Sequence, residues 1–509
     1  MSPRVSAMKL GVPAMRLGVH AIRRRYLSAV SLRAVLAFLG IAVVAQAPLA
    51  AASGPARPDA WFEDIKKNAT PEQLYTFLYA LPKGADLHNH LTGAARSEWM
   101  WDAALEQEKR GYTYYTKVAI RNCVPYGSNE FGRAPYLLLF RNLSEVNWRK
   151  LDECQRSEYK RLQDLDAREK EGWLNSLRLD QPHEGRNEFF GAHWQRMNDL
   201  QENPYWTIRI LQRNMEEFGK EGLAYLEVEN GINGYVKPDG TEFSLEEAAT
   251  LFREFLASLP ARETGVEVRF YNSILRFAPD AEDTLRFFYS VNDAYRDLFV
   301  GINMVGREDD DKGHPLRFLS TLRELRRKYP DINLSIHAGE VDEPNFHVRD
   351  TLLLGAKRIG HGVNLITDPD TLRLMRHGPY LVEINLISNL LLEYVKDYSQ
   401  HPFGEYLRLG IPVALSTDDR GMWDSNLTDE YFVAVREFNL SWSELTQLGR
   451  NSLKFSFVDE PTKQRLLADY EKRVTAFAER FRKQGWGALK DTKPVSYSFT
   501  CRQYKVCLQ

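Results

Sequence analysis

The chain has 509 residues, a formal net charge of -2, 43% hydrophobic residues and 27% charged residues. That balance is the one ordinary soluble globular proteins have. It excludes a partner held by bulk positive charge, such as nucleic acid or an anionic membrane surface. The length admits one large barrel with additions, or two to three domains.

In chain order, Arg23, Arg24 and Arg25 precede the uncharged apolar run AVLAFLGIAVVAQA (34–47), and PLAAASGPA follows. Basic, apolar and small-residue regions in that order predict a secretory signal over 1–52, with cleavage after Ala52 and a periplasmic or secreted product. The run is short for a membrane span, and the alternative is an uncleaved anchor. The four cysteines, Cys123 and Cys154 in one segment and Cys501 and Cys507 near the end, predict two disulfides in an oxidising compartment. A structural zinc site is the competing reading, and no C-x-x-C supports it. Residues 53–82 form an N-terminal helical segment, with Asn68 or Thr70 as cap before Pro71 and Glu72.

KGADLHNHL (83–91) then places His88 and His90 two apart, so that in an extended chain both face one way. A long insertion, 95–205, is rich in Trp, Tyr, Arg and Glu. After it, short apolar runs alternate with stretches of helical period: GLAYLEVENG, VEVRFYNSILRF, LFVGINMVG, INLSIHAGE, KRIGHGVNL, YLVEINLIS and IPVALSTDD. With GADLHNHL these make eight strands, each followed by a helical stretch. The pattern predicts an α/β fold, a (β/α)8 TIM barrel over 83–485, with a tail at 486–509 that carries two of the cysteines. An open doubly wound sheet is the alternative.

Active sites of such barrels lie at the C-terminal ends of the strands. His88 and His90 end the first, His337 and Glu340 the fifth, His361 the sixth, and Asp418 and Asp419 the eighth. Each has a bland reading alone: a hydrogen-bonded core histidine, a loop carboxylate, a turn between glycines, a helix cap. Together on one barrel face they suit zinc, which takes imidazole nitrogen and carboxylate oxygen and keeps a position for water. His361 is placed to orient or activate that water, and Glu340 to act as a proton donor if burial raises its pKa. Asp419 is expected to accept a hydrogen bond from a polar ring. Gly306 and Gly339 let backbone N–H groups approach a flat substrate.

H-x-H after KGADL, H-A-G-E, G-H-G and S-T-D-D, in this order, resemble the adenosine deaminase family over roughly residues 81 to 480. LPKGADLHNH, VGREDDDKGH, ISNLLL and the signal segment resemble most the secreted, growth-factor-type members. The resemblance implies one Zn2+ per subunit on His88, His90, His337 and Asp418. It implies Glu340 as the acid at a purine ring nitrogen, His361 at the water, Asp419 at an imidazole-ring nitrogen and Gly306 as a backbone donor. The implied reaction turns adenosine, and 2'-deoxyadenosine, into inosine and ammonia. It also implies a homodimer, with 59–81 and the insertion as contacts. Thr92 departs from the family's Asp at the ribose, so adenine, a modified nucleoside or AMP stay open as substrates. The cytidine-type zinc deaminase signature, H-x-E with P-C-x-x-C, is absent. LFVGINMVG lacks the lysine that a two-metal site would carry on its strand. A binding or signalling protein on the same barrel is the non-enzyme alternative.

Overall fold

The computed structural model describes residues 59–124, 137–309 and 313–508. The expected signal segment, 1–52, lies outside them. The eight expected strands are present: Ala85–Asp86, Tyr225–Glu229, Glu267–Leu275, Phe299–Val305, Asn333–Ala338, Arg358–His361, Leu381–Ile384 and Val413–Leu415. They pair in parallel in sequence order. They are called strands one to eight below. Each of strands two to eight has buried apolar residues at its centre, among them Val228, Phe270, Ile302, Ile336, Ile359, Val382 and Ala414, as parallel strands under a ring of helices require.

Strands one and eight close the ring by a different device. Past the two-residue first strand, a single parallel bridge joins Asn89 to Asp418. Asp418 N–H donates to His88 O (2.9 Å), and His90 N–H donates to Asp418 O (3.4 Å). Buried side chains stitch the rest. Asp86 accepts from the Thr417 backbone N–H (3.1 Å) and hydroxyl (2.6 Å), and Leu87 N–H donates to Ser416 Oγ. The seam of the barrel therefore runs through HNH and STD, the motifs singled out by sequence.

The N-terminal segment is two helices, Ala60–Asn68 and Pro71–Ala80. Thr70 caps the second in a reciprocal box with Gln73, while Asn68 ends the first. Their apolar face is spent within the chain: Phe77 meets Phe477 and Phe481 edge-on, and Trp61 meets Trp442. The insertion builds helix Ser97–Glu106, a three-stranded antiparallel sheet, and a helical run from Arg186 to Gln201 that lies over the barrel mouth. Disulfides join Cys123 to Cys154 and Cys501 to Cys507. Among the described residues no helix is long and apolar enough to cross a membrane.

Inside the barrel Arg358 lies fully buried between Glu227 and Glu383, 2.6 Å from each, and stacks on Phe457. Removing the cation leaves two buried carboxylates without it, which costs far more than a surface pair. Arg358→Met is expected to lose about 3–5 kcal/mol of stability, read as a lower urea midpoint at unchanged slope.

Candidate metal centre and cleft

His88, His90, His337, His361, Asp418 and Asp419 converge at the C-terminal mouth. Ligand atoms of His88, His337, His361 and Asp418 lie within 4.8 Å of one another, as do those of His90, Asp418 and Asp419. Proximity alone does not sort the four imidazoles, but the partners of their Nδ1 atoms do. His88 Nδ1 faces the buried Glu383 carboxylate at 2.8 Å. His90 Nδ1 faces Glu229 at 2.6 Å, and His337 Nδ1 faces Asn303 Oδ1 at 3.0 Å. An oxygen acceptor at Nδ1 puts the proton there and leaves Nε2 with its lone pair, the arrangement of metal-ligating histidines. His88 Nε2 is buried with no hydrogen-bond partner, and the Nε2 atoms of His88 and His90 stand 3.4 and 3.1 Å from Asp418 Oδ1. Three imidazole nitrogens and one carboxylate oxygen fit zinc.

His361 is wired the other way. Phe403 N–H donates to His401 Nδ1 (3.1 Å), so His401 carries its proton on Nε2 and donates it to Asn389 Oδ1 (3.0 Å). Asn389 must then present Nδ2 to His361 Nδ1, 3.0 Å away. Of the two carboxamides beside that nitrogen it is the nearer, Asn385 lying at 3.3 Å. The network assigns His361 the Nε2–H tautomer, with Glu340 Oε1 3.6 Å off. Burial, first of all, holds its pKa well below the usual histidine value.

Glu340 is buried, and its carboxyl is pushed up to about 8, by burial first and then by the charges of Asp418 and Glu308. Its loop is set by Glu308, whose oxygens accept from Gly339 N–H and Glu340 N–H, each at 3.0 Å. This corrects the expectation for Gly339: its N–H is committed to Glu308 and is not offered to a substrate. Gly306 does line the cleft, at φ +97°. Asp419 is packed on Gly93, where any Cβ would fall 1.6 Å from Asp419 Oδ1, and that oxygen has no partner. Burial and then Asp418 push the Asp419 carboxyl well up. That direction favours the protonated form, which donates a hydrogen bond where an acceptor was expected. Thr92 lines a neighbouring chamber.

The cleft above these groups holds about 710 Å³. Phe189, Phe190 and Trp194 from the insertion and Leu275, Phe277 and Val305 from the barrel give it apolar walls. Sequence reasoning missed the orienting groups Glu229, Asn303, Glu308 and Glu383. Only Glu308 left a trace, inside VGREDDDKGH.

A parallel barrel with a histidine and carboxylate centre at its mouth defines a metal-dependent hydrolase scaffold. The family model described as "Adenosine deaminase" matches residues 174–473, and the chain belongs to that family. The match holds His337, Glu340, His361, Asp418 and Asp419, while His88 and His90 precede it. An adenosine deaminase of Aedes albopictus is 28% identical over 275 residues, 51% of this chain and 50% of that protein. An adenine deaminase of Chelativorans sp. (strain BNC1) is 32% identical over 213 residues, 40% of this chain and 62% of that one. The matched stretches thus span about half to three-fifths of these relatives' lengths. A Burkhoderia ambifaria amidohydrolase solved with bound Zn superposes at a TM-score of 0.57 and 19% identity, over 81% of this chain and 95% of its own. That likeness shows the fold.

Glu383→Gln keeps the shape of the side chain but removes the charge that strengthens His88 as a donor. It is expected to weaken zinc binding about 10- to 100-fold, measured by competition with a chromophoric chelator.

Proposed function

We propose that this chain is a zinc-dependent hydrolytic deaminase that converts adenosine, and 2'-deoxyadenosine, to inosine and ammonia. The observation that carries the reading is the set of three oriented Nε2 atoms and Asp418 beside Glu340, a buried carboxyl whose pKa burial pushes up to about 8. His88, His90, His337 and Asp418 would hold the metal. When bound, zinc supplies Lewis acidity, which lowers the pKa of a coordinated water towards neutrality.

The chain's own groups do the rest. Glu340 gives its proton to the ring nitrogen beside the amine-bearing carbon as water adds there, which keeps negative charge from building on the ring. His361, with hydrogen on Nε2, orients the attacking water by donating to it and does not serve as its base. Asp419 gives a hydrogen bond to the lone pair of the imidazole-ring nitrogen, which in a 9-substituted purine has no proton of its own. Gly306 meets the ring edge. The apolar walls of the cleft take the flat base and exclude bulk water.

The adenine deaminase relative favours a second reading, deamination of another aminopurine such as the free base. The Cys123–Cys154 and Cys501–Cys507 disulfides, with the pattern of residues 23–52, support export to the periplasm or medium.

Purified zinc-loaded protein is expected to shift adenosine absorbance to that of inosine, and a panel of adenosine, deoxyadenosine, adenine and AMP ranks the substrates. Glu340→Gln is expected to retain one zinc per chain and to lose activity by about 10³-fold or more. Full activity in that variant would remove Glu340 as proton donor. Bound zinc without turnover of any aminopurine would leave a binding protein.

A further inference from the structure

Residues 337–340 join a metal-site histidine to the proton donor, and a buried ion pair holds them from behind. Arg276, just past strand three, is 1% exposed, and Glu308, just past strand four, is fully buried. Arg276 Nη1 lies 3.9 Å from Glu308 Oε2. Each partner takes one side of the turn. Arg276 Nη2 donates to the backbone oxygens of Met304 (3.0 Å) and His337, so the cation pins the carbonyl of the histidine. Glu308 accepts from Gly339 N–H and Glu340 N–H, so the anion pins the amides at the acid. Between them Gly339 sits at φ +76°. Glycine has little preference of its own for one conformation, so the turn is only as rigid as the groups that hold it.

A third residue completes the set. His347, 1% exposed, opens the helix His347–Leu354, and its Nδ1 lies 2.6 Å from Glu308 Oε1. A carboxylate only accepts, so His347 is the donor. Burial works against the Glu308 charge, but the His347 bond and then Arg276 outweigh it and hold the carboxyl below its usual range. Arg276, Glu308 and His347 are absent from the described residues that line the cleft. Their effect on a substrate therefore passes through 337–340.

We propose that Arg276, Glu308 and His347 are positioning residues, a clamp that fixes the Glu340 proton donor relative to His337. The His347 bond turns the Glu308 carboxylate so that one oxygen serves each amide, and Arg276 ties that carboxylate to the strand that carries His337. The inference rests on the deaminase reading above and adds to it residues that touch no substrate.

The test uses the full zinc-loaded chain and whichever aminopurine the wild type deaminates. Glu308→Gln replaces one accepting oxygen by a donor that faces an amide N–H. It is expected to lower kcat about 100-fold, since a reacting group misplaced by about 1 Å costs that much. KM is expected to change less than about twofold, with zinc retained. His347→Leu removes the donor to Glu308 and is expected to lower kcat about tenfold or more, whereas His347→Asn, which can place an N–H where Nδ1 stood, restores most of it. Unchanged kcat in a folded Glu308→Gln overturns the proposal, even with a lower urea midpoint, and so does His347→Asn no more active than His347→Leu. Should Glu308→Gln not fold, the His347 pair decides, because it leaves the ion pair in place. A wild-type chain inactive on every aminopurine overturns the deaminase reading instead. Hydrogen exchange at the Gly339 and Glu340 amides then judges the clamp: faster exchange in His347→Leu than in His347→Asn supports it, and equal rates overturn it.

Discussion

Asp418 closes the barrel and completes the site with the same few atoms. Its backbone joins strands one and eight through His88 O and His90 N–H, and its carboxylate meets the Nε2 atoms of both histidines. It does so in the left-handed region, at φ +53°, a conformation an aspartate adopts only at a cost. The surrounding bonds hold it there. Asp86 grips Thr417 from one side, and the Asn89 carboxamide donates to Thr417 Oγ1 from the other. A barrel whose first strand has only two laddered residues depends on such side-chain stitching. Geometry needed for the metal is therefore geometry needed for closure, and neither is free to drift without the other.

Beyond the seam, the site is built as nested layers. The histidines face Glu383, Glu229 and Asn303, and Glu383 is itself held by Arg358 and by the Ser335 hydroxyl. Arg358 reaches on to Glu227, so a line of alternating charge runs from the metal-side imidazole deep into the barrel core. Alternation is what makes the burial tolerable, because each buried charge has an opposite neighbour and hydrogen-bond partners. Glu340 stands outside that line. Burial first, and then the charges of Asp418 and Glu308, push its carboxyl up, whereas Arg358 and His88 hold the equally buried Glu383 down.

Much of this was legible in the sequence, and the boundary of legibility has a physical cause. Parallel strands buried on both faces read as apolar runs, so all eight were visible in the sequence, and their C-terminal ends delivered the histidines and carboxylates in recognisable clusters. The orienting layer was not visible. Glu229, Glu383 and Asn303 are single polar letters on three different strands, and nothing local says which histidine each will face. Gly339 was read as open to substrate because its conformational freedom is legible and the claim of Glu308 on its N–H is not. Asp419 was read as an acceptor because a carboxylate is one in water. Burial, and then the charge of Asp418, push its pKa up, towards the form that donates a hydrogen bond. The insertion was legible only as an aromatic, charged stretch, since its short strands and helices carry little periodicity.

The four clustered histidines show why residue type is too coarse a unit for reading such a site. His88, His90, His337 and His361 are all buried at one mouth, and distance alone groups His361 with His88 and His337 more tightly than His90. What separates them is the atom at Nδ1. A carboxylate or amide oxygen there turns Nε2 into a ligand. An amide nitrogen there turns Nε2 into a donor. For His361 that choice is passed along from Phe403 through His401 and Asn389, so a backbone N–H remote from the chemistry fixes which end of an imidazole bears hydrogen. The same ring thus yields a metal ligand in one position and a water-orienting donor in another, and the difference lies in partners that no motif contains.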